Sequence, residues 1–261
     1  MPYQLIDGKN LSTQILKEIA ENVRELQKRS EITPGLSVVL VGDDPASDIY
    51  VRSKERAALK AGMVAKSIRL PRESSEDKII GIVQSLNNDS NYHGILVQLP
   101  LPEHVDQNRV ITSINPLKDV DGLHPFNAGL LAAGAPRFIP ATPGGIREIL
   151  LRTNNDPSGK HVVVIGRSNI VGRPVSNLLS LKGKGGDATV TICHSRTKDL
   201  TDICRAADVI IAAIGIPNFV KGDMVSEGVV AIDVGINRVN APKKKRGYML
   251  VGDIEFESVS R

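Results

Sequence analysis

The chain has 261 residues, of which 41% are apolar and 24% charged, and its formal net charge is +4. This composition excludes a disordered chain, and bases interspersed with acids at so small an excess do not call for a nucleic-acid partner. Two cysteines and five histidines, none in a metal-ligand spacing, leave no disulfide framework and no metal centre to expect.

No stretch approaches the ~18 apolar residues of a membrane span, and the first residues lack a basic region followed by an apolar block, so a cytoplasmic location is expected. The length favours two ordinary domains. Short apolar runs alternate with amphipathic stretches throughout, which reads as α/β.

Ile15, Ile19 and Val23 recur at four-residue spacing and predict a helix over Leu11 to Gln27, capped by Asn10 or Ser12. A buried strand follows over Pro34 to Val41. Gly42 to Ser47 then forms a turn and cap that open a helix ending near Gly62. That helix carries Tyr50 and Lys54, four residues apart and so on one face, where a phenol and an ammonium can address one small molecule.

Ala65 to Leu70 is the second strand, Ser75 to Asn87 a helix, and Gly94 to Leu99 a third strand broken by Pro100 and Pro102. Gln98 is left near the carboxyl end of that strand, where ligands sit in open parallel sheets. Hydrogen bonding to a loop backbone is its equal alternative. After a short helix, Asp106 to Ile114, comes the polar stretch Asn115 to Gly122 with two acids, Asp119 and Asp121. Either acid can cap a helix, and the pair can equally hold a ligand's amine groups.

The pattern restarts between Pro140 and Gly145, which puts the expected boundary at 141/142. A helix runs through Leu151, and four strands follow: His161 to Ile165, Thr189 to Cys193, Val209 to Ile214 and Val229 to Val234. Such crossovers imply a right-handed parallel sheet covered by helices. Cys193 and Cys204 are read as buried thiols, and Lys243 to Arg246 as a solvated turn between strands.

After the first of these strands comes Gly166-Arg-Ser-Asn-Ile-Val-Gly172-Arg-Pro174. It departs from G-x-G-x-x-G, because Ser168 takes the second glycine position and the last glycine comes later. Its place between an apolar strand and a helix still lets backbone amides and a helix N-terminus face a pyrophosphate. The next strand ends in His194-Ser-Arg-Thr197, without the acid that commonly binds a ribose 2′-hydroxyl. Ser195 and Arg196, with Arg167, suit a 2′-phosphate instead, which favours NADP over NAD. Gly235 and Ile236 are expected to contact the cofactor, because small residues at strand ends let it approach the backbone.

Taken together, Tyr50-x-x-x-Lys54, Gly94-Ile-Leu-Val-Gln-Leu-Pro-Leu-Pro102, Lys118-Asp-Val-Asp-Gly122, Pro140-Ala-Thr-Pro-Gly-Gly145 and Gly166-Arg-Ser-x-x-Val-Gly-Arg-Pro174 resemble the bifunctional methylenetetrahydrofolate dehydrogenase/methenyltetrahydrofolate cyclohydrolase family, from about residue 5 to residue 256. The resemblance implies two α/β domains with a cleft between them: a folate and catalytic domain over 1–141 and a Rossmann-type NADP-binding domain over 142–261. It implies NADP-dependent oxidation of 5,10-methylenetetrahydrofolate to the methenyl form, and hydrolysis of that form to 10-formyltetrahydrofolate, in one-carbon metabolism that serves purine biosynthesis. By the family pattern Lys54 is the general acid–base group and Gln98 hydrogen-bonds and directs it. Tyr50 packs on the folate, and Asp121 accepts hydrogen bonds from the pterin. A homodimer through the cofactor domains is also implied, as is a loop and final helix beyond Arg261.

Two other readings share features with this one. A shikimate-dehydrogenase-like NADP enzyme would have the same architecture but no reason for the Asp119-Val-Asp121 and Gln98-Leu-Pro100 stretches. A regulator that binds NADP without turnover would have no need of Lys54, Gln98 and Asp121.

Overall fold

The computed structural model describes residues 3–242 and 247–261. The turn expected at Lys243 to Arg246 therefore lies outside the described residues. By its contacts the chain divides into two compact units, Asp7–Gly129, and Leu130–Arg261 together with Met1–Ile6.

The Asp7–Gly129 unit begins with α1 (Gly8–Ser30), followed by β1 (Gly35–Val41), α2 (Pro45–Lys60), β2 (Val64–Leu70), α3 (Glu76–Asn88), β3 (Gly94–Val97) and α4 (Gln107–Ser113). α1 starts earlier than its apolar spacing suggests. The carboxylate of Asp7, not Asn10 or Ser12, takes the free amide of Asn10 at 2.9 Å and caps the helix. β1 is the middle strand of a parallel sheet in the order β2-β1-β3.

Because side chains alternate along a strand, β1 feeds two cores. Val39 and Val41 pack with Ile79, Val83 and Leu86 of α3, while Val38 and Leu40 pack with Val51 of α2. The sheet is thus covered on both faces, and its strands read as continuous apolar runs for that reason.

A helix that the apolar pattern did not reveal, α5 (Pro125–Ala132), spans the division between the units. Beyond it lie α6 (Ala141–Arg152), β4 (His161–Ile165), α7 (Gly172–Ser180), β5 (Thr189–Cys193), α8 (Leu200–Arg205), β6 (Val209–Ala212) and β7 (Val230–Asp233). These strands form a second parallel sheet, ordered β5-β4-β6-β7. Val162 and Val164 face Ile146, Leu150, Val175 and Leu179 of α6 and α7, and Val163 and Ile165 face Cys204 of α8. Both cysteines are buried thiols, and burial pushes Cys204 up to about 11.

An antiparallel hairpin, β8 (Asn237–Asn240) and β9 (Tyr248–Val251), precedes the last helix, α9 (Phe256–Val259). The first residues join this unit because Ile6 enters its core and the Tyr3 ring meets Phe256 edge-on at 5.5 Å.

Candidate active site

In the first unit, β1 delivers the chain into α2 through a tight turn. Asp44 caps the new helix by accepting the amide of Ser47 at 2.8 Å, and Pro45 occupies its first turn. Ser47, Val51 and Ala58 are the buried residues of α2. Lys54 falls in the same stripe at helical spacing, so it is a lysine on the packed side of the helix and only partly exposed. Tyr50, one turn earlier, is 43% exposed.

Gln98 leaves the end of β3, its amide fixed to the carbonyl of Val39 at 2.9 Å. Its two side-chain ends have separate tasks. Nε2 donates to the carbonyl of Leu99 at 2.7 Å, and Oε1 accepts a proton of Lys54 Nζ at 3.0 Å. The loop-backbone alternative for Gln98 and the hydrogen bond to Lys54 implied by the family pattern are therefore realised in one side chain, and the loop contact orients the oxygen that holds the lysine.

The two acids of the 115–122 stretch separate into different roles. Asp119, only 1% exposed, accepts the amides of Leu123 and His124 and the Asn127 amide nitrogen at 2.8–3.3 Å, so it fastens the entry to α5. Asp121 has no hydrogen-bond partner among the described residues. Burial pushes its carboxyl above the usual carboxylate range, opposed by the charge of Lys54 and reinforced by that of Asp119. A half-buried acid with no hydrogen-bond partner among the described residues, in the field of a lysine, can accept hydrogen bonds from a ligand.

This loop is held against β3. The Ile95 amide donates to the carbonyl of Lys118 at 2.7 Å, and Ile95 bridges Asp119 in parallel. Gly94 makes the approach possible, because a Cβ there would lie 2.6 Å from Val120 Cγ1. Lys118 Nζ donates to the carbonyls of Leu86 and Asp89 at the end of α3. That lysine is spent on anchoring.

In the second unit the glycine turn lies between β4 and β6, where the strand order reverses, at the carboxyl ends of the strands. The backbone there is close-packed: a Cβ on Gly172 would lie 2.2 Å from the carbonyl oxygen of Gly166, and one on Gly166 would lie 2.3 Å from that of Ala213. Ser168 Oγ accepts the amides of Val171 and Gly172 at 3.1 and 3.3 Å, bracing the turn into α7 with a neutral hydroxyl whose own proton can face an anion. The turn therefore fits a pyrophosphate.

Arg167 and the Ser195-Arg196 turn leave paired strands at the same level, since Ile165 is in register with Cys193 and all three residues are exposed. Ile236, 63% exposed, follows β7. Sequence reasoning missed Asp233 and Asp253, which fasten these strand-end loops to one another. The signal was present in Gly235 and Gly252, where a Cβ would lie 2.2 Å from Asp253 Oδ1 and 1.6 Å from Asp233 Oδ2.

Two family models match in order: the catalytic domain of tetrahydrofolate dehydrogenase/cyclohydrolase over residues 6–121, and its NAD(P)-binding domain over residues 140–261. The chain belongs to this family. Among its relatives, the bifunctional protein FolD of Parvibaculum lavamentivorans is 50% identical over 261 residues, covering 100% of this chain and 86% of the relative. The FolD protein of Pelobacter propionicus is 51% identical over 98% of this chain and 87% of its own length.

Solved structures agree. The FolD dehydrogenase/cyclohydrolase of Campylobacter jejuni superposes with a TM-score of 0.90 at 44% identity, over 98% of this chain and 88% of that one. The FolD enzyme of Trypanosoma brucei, solved with NADP and an inhibitor, gives 0.94 at 38% identity, over 100% and 88%. Among the described residues no helix is long and apolar enough to cross a membrane.

Proposed function

We propose that the chain is a bifunctional folate enzyme, oxidising 5,10-methylenetetrahydrofolate with NADP and hydrolysing the methenyl product to 10-formyltetrahydrofolate. The observation that carries this reading is the Lys54–Gln98 hydrogen bond at 3.0 Å, together with Asp121, whose half-buried carboxyl has no hydrogen-bond partner among the described residues. An ionisable amine held by a neutral acceptor, near an acid free for a ligand, is what hydrolysis of a cationic one-carbon bridge requires.

When bound, NADP supplies the hydride acceptor. Ser168 and the amides around Gly166 hold its pyrophosphate, Arg167, Ser195 and Arg196 its 2′-phosphate, and Ile236 packs on it. For oxidation the remaining task is positioning, which Tyr50 and Asp121 serve by stacking on the pterin and accepting its hydrogen bonds.

Hydrolysis needs proton transfers as well. Lys54 takes a proton from the water that adds to the methenyl carbon and returns it to the ring nitrogen as the carbon–nitrogen bond breaks, and the remaining hydroxyl proton leaves to solvent as the formyl carbonyl forms. Gln98 Oε1 holds one amine proton throughout and so fixes the direction of the lone pair. The functional division follows the expected boundary, with 1–141 handling folate and 142–261 NADP. A homodimer in the cytoplasm, with no nucleic-acid partner, completes the reading.

The test is direct. Incubation with methylenetetrahydrofolate and NADP should form NADPH, and the product should pass through methenyltetrahydrofolate to the formyl form. NADPH formation that stops at methenyltetrahydrofolate would remove the hydrolytic half of the proposal, and no NADPH formation would remove the oxidative half.

A further inference from the structure

Two carboxylates at the carboxyl edge of the second sheet form a reciprocal clip. Asp253, fully buried, accepts the amides of Ile214 and Gly215 on Oδ2 at 2.7 and 2.9 Å, and the side-chain amide of Asn237 on Oδ1 at 2.8 Å. Its own backbone amide donates to Asp233 Oδ1 at 2.9 Å, and the same oxygen takes the amide of Gly235 at 2.9 Å. Asp233 Oδ2 accepts the amide of Ile254 at 3.0 Å.

Three segments are joined in this way: the loop leaving β6, the loop leaving β7, and the turn leaving β9. Each carboxylate also occupies the space where the other segment's glycine lacks a side chain, Asp253 against Gly235 and Asp233 against Gly252.

Burying a carboxylate on neutral donors is expensive for a fold that needs only packing. What the clip fixes is the spacing of two loops that present apolar side chains at the ligand-binding edge, Ile216 at 50% exposure and Ile236 at 63%. The β6 loop also takes the left-handed conformation at Gly215, with φ +70°, directly beside the amide that Asp253 holds.

We propose that Asp253 is a positioning residue for hydride transfer: through the amides of Ile214 and Gly215 and the side chain of Asn237, it sets the two loops that hold the reactive half of the dinucleotide. The inference rests on the dehydrogenase reading above. Asp253 touches no reacting atom, so its influence is confined to cofactor placement and does not extend to Lys54 chemistry.

Asp253→Ala leaves two amides of the β6 loop without their acceptor. Dehydrogenase kcat should fall on the order of tenfold or more, with weaker NADPH binding, while hydrolysis of methenyltetrahydrofolate stays within about twofold. Asp253→Asn should restore most of the loss, because its oxygen can take the two amides while its nitrogen donates to Asn237 after that amide rotates. Both activities are measured on the same preparations, with NADPH binding followed by its fluorescence.

Equal loss of both activities in Asp253→Ala would make the residue merely structural and overturn the proposal. So would two unchanged activities, or an Asn variant as impaired as the Ala variant. If the unsubstituted protein forms no NADPH, the dehydrogenase reading itself fails. The clip is then judged on NADPH binding alone: a loss in Asp253→Ala restored by Asp253→Asn supports cofactor positioning, and unchanged binding overturns it.

Discussion

The two sheets share a topology but close their first helix in different ways. In each, the first strand lies in the middle, the second pairs on one side and the third on the other, so β1 and β4 are equivalent, as are the reversals at β1/β3 and β4/β6. The helix after β1 starts on the carboxylate of Asp44, whereas the helix after β4 has no side-chain cap, and the neutral hydroxyl of Ser168 in the turn before it accepts the amides of Val171 and Gly172. An anionic cap fills the positive end of a helix and turns phosphate away, while an uncapped start behind a neutral hydroxyl leaves that end open to it. The start of the helix at a shared topological position thus separates a sheet suited to pyrophosphate from one whose proposed chemistry lies on the next turns of its helix, at Lys54.

The largest expected effect separates the two units by reaction. Lys54→Met should lower hydrolysis of methenyltetrahydrofolate by roughly 10²–10⁴-fold, the range for a lost acid–base group, with NADPH affinity unchanged. Hydrolysis near the original rate would remove Lys54 from the mechanism. Asp121→Ala should weaken folate binding by about 1.5–3 kcal/mol, a lost charged hydrogen bond, and separate titrations with folate and NADP check that only the first changes.

Asp121 also has a pH signature. Because burial raises its pKa in the folded state, its contribution to stability is full below the ordinary value of 3.8 and is lost as pH rises through the folded value. Asp121→Asn should therefore unfold at higher denaturant than the original at neutral pH, with the gap closing below pH 3.8. A gap that widens toward acid pH would contradict the burial of this carboxyl.

Changing the charge at the two helix starts breaks the comparison most directly. Ser168→Asp places a carboxylate at the proposed pyrophosphate site and should cost NADPH binding about 2 kcal/mol. Asp44→Ala should cost about 1 kcal/mol of stability and leave NADPH binding alone. Equal NADPH affinity in Ser168→Asp and the original would show that the charge at this turn does not select the ligand. The smallest effect is confined to one cofactor: replacing Arg167 and Arg196 together by alanine should raise KM for NADP by roughly tenfold while changing NAD little, since only NADP has a 2′-phosphate.

Much of this was legible because it is local. The strand-to-helix turn at Gly166, the start of α3 at Ser75 and the spacing of Tyr50 and Lys54 are set within a few residues. What stayed hidden depends on partners far along the chain. Asp119 and Asp121 look alike in sequence, and only the amides of Leu123 and His124 make one a fastener and leave the other open. The importance of Asp253 lies in amides 38 and 39 residues away. α5 escaped notice for a different reason: its eight residues include Pro125 and Gly129 and are too few to display a period.

The loop that carries Asp121 has a second consequence. Lys118 and Asp119 lie along the open side of β3, the outer strand of its sheet, and the carbonyl of Lys118 takes the Ile95 amide that an unpaired edge would offer to a stranger. Sheet edges left bare recruit strands from other molecules. Substitutions that loosen this loop, a larger residue at Gly94 foremost among them, should therefore appear first as loss of soluble protein during expression, before any catalytic defect can be measured.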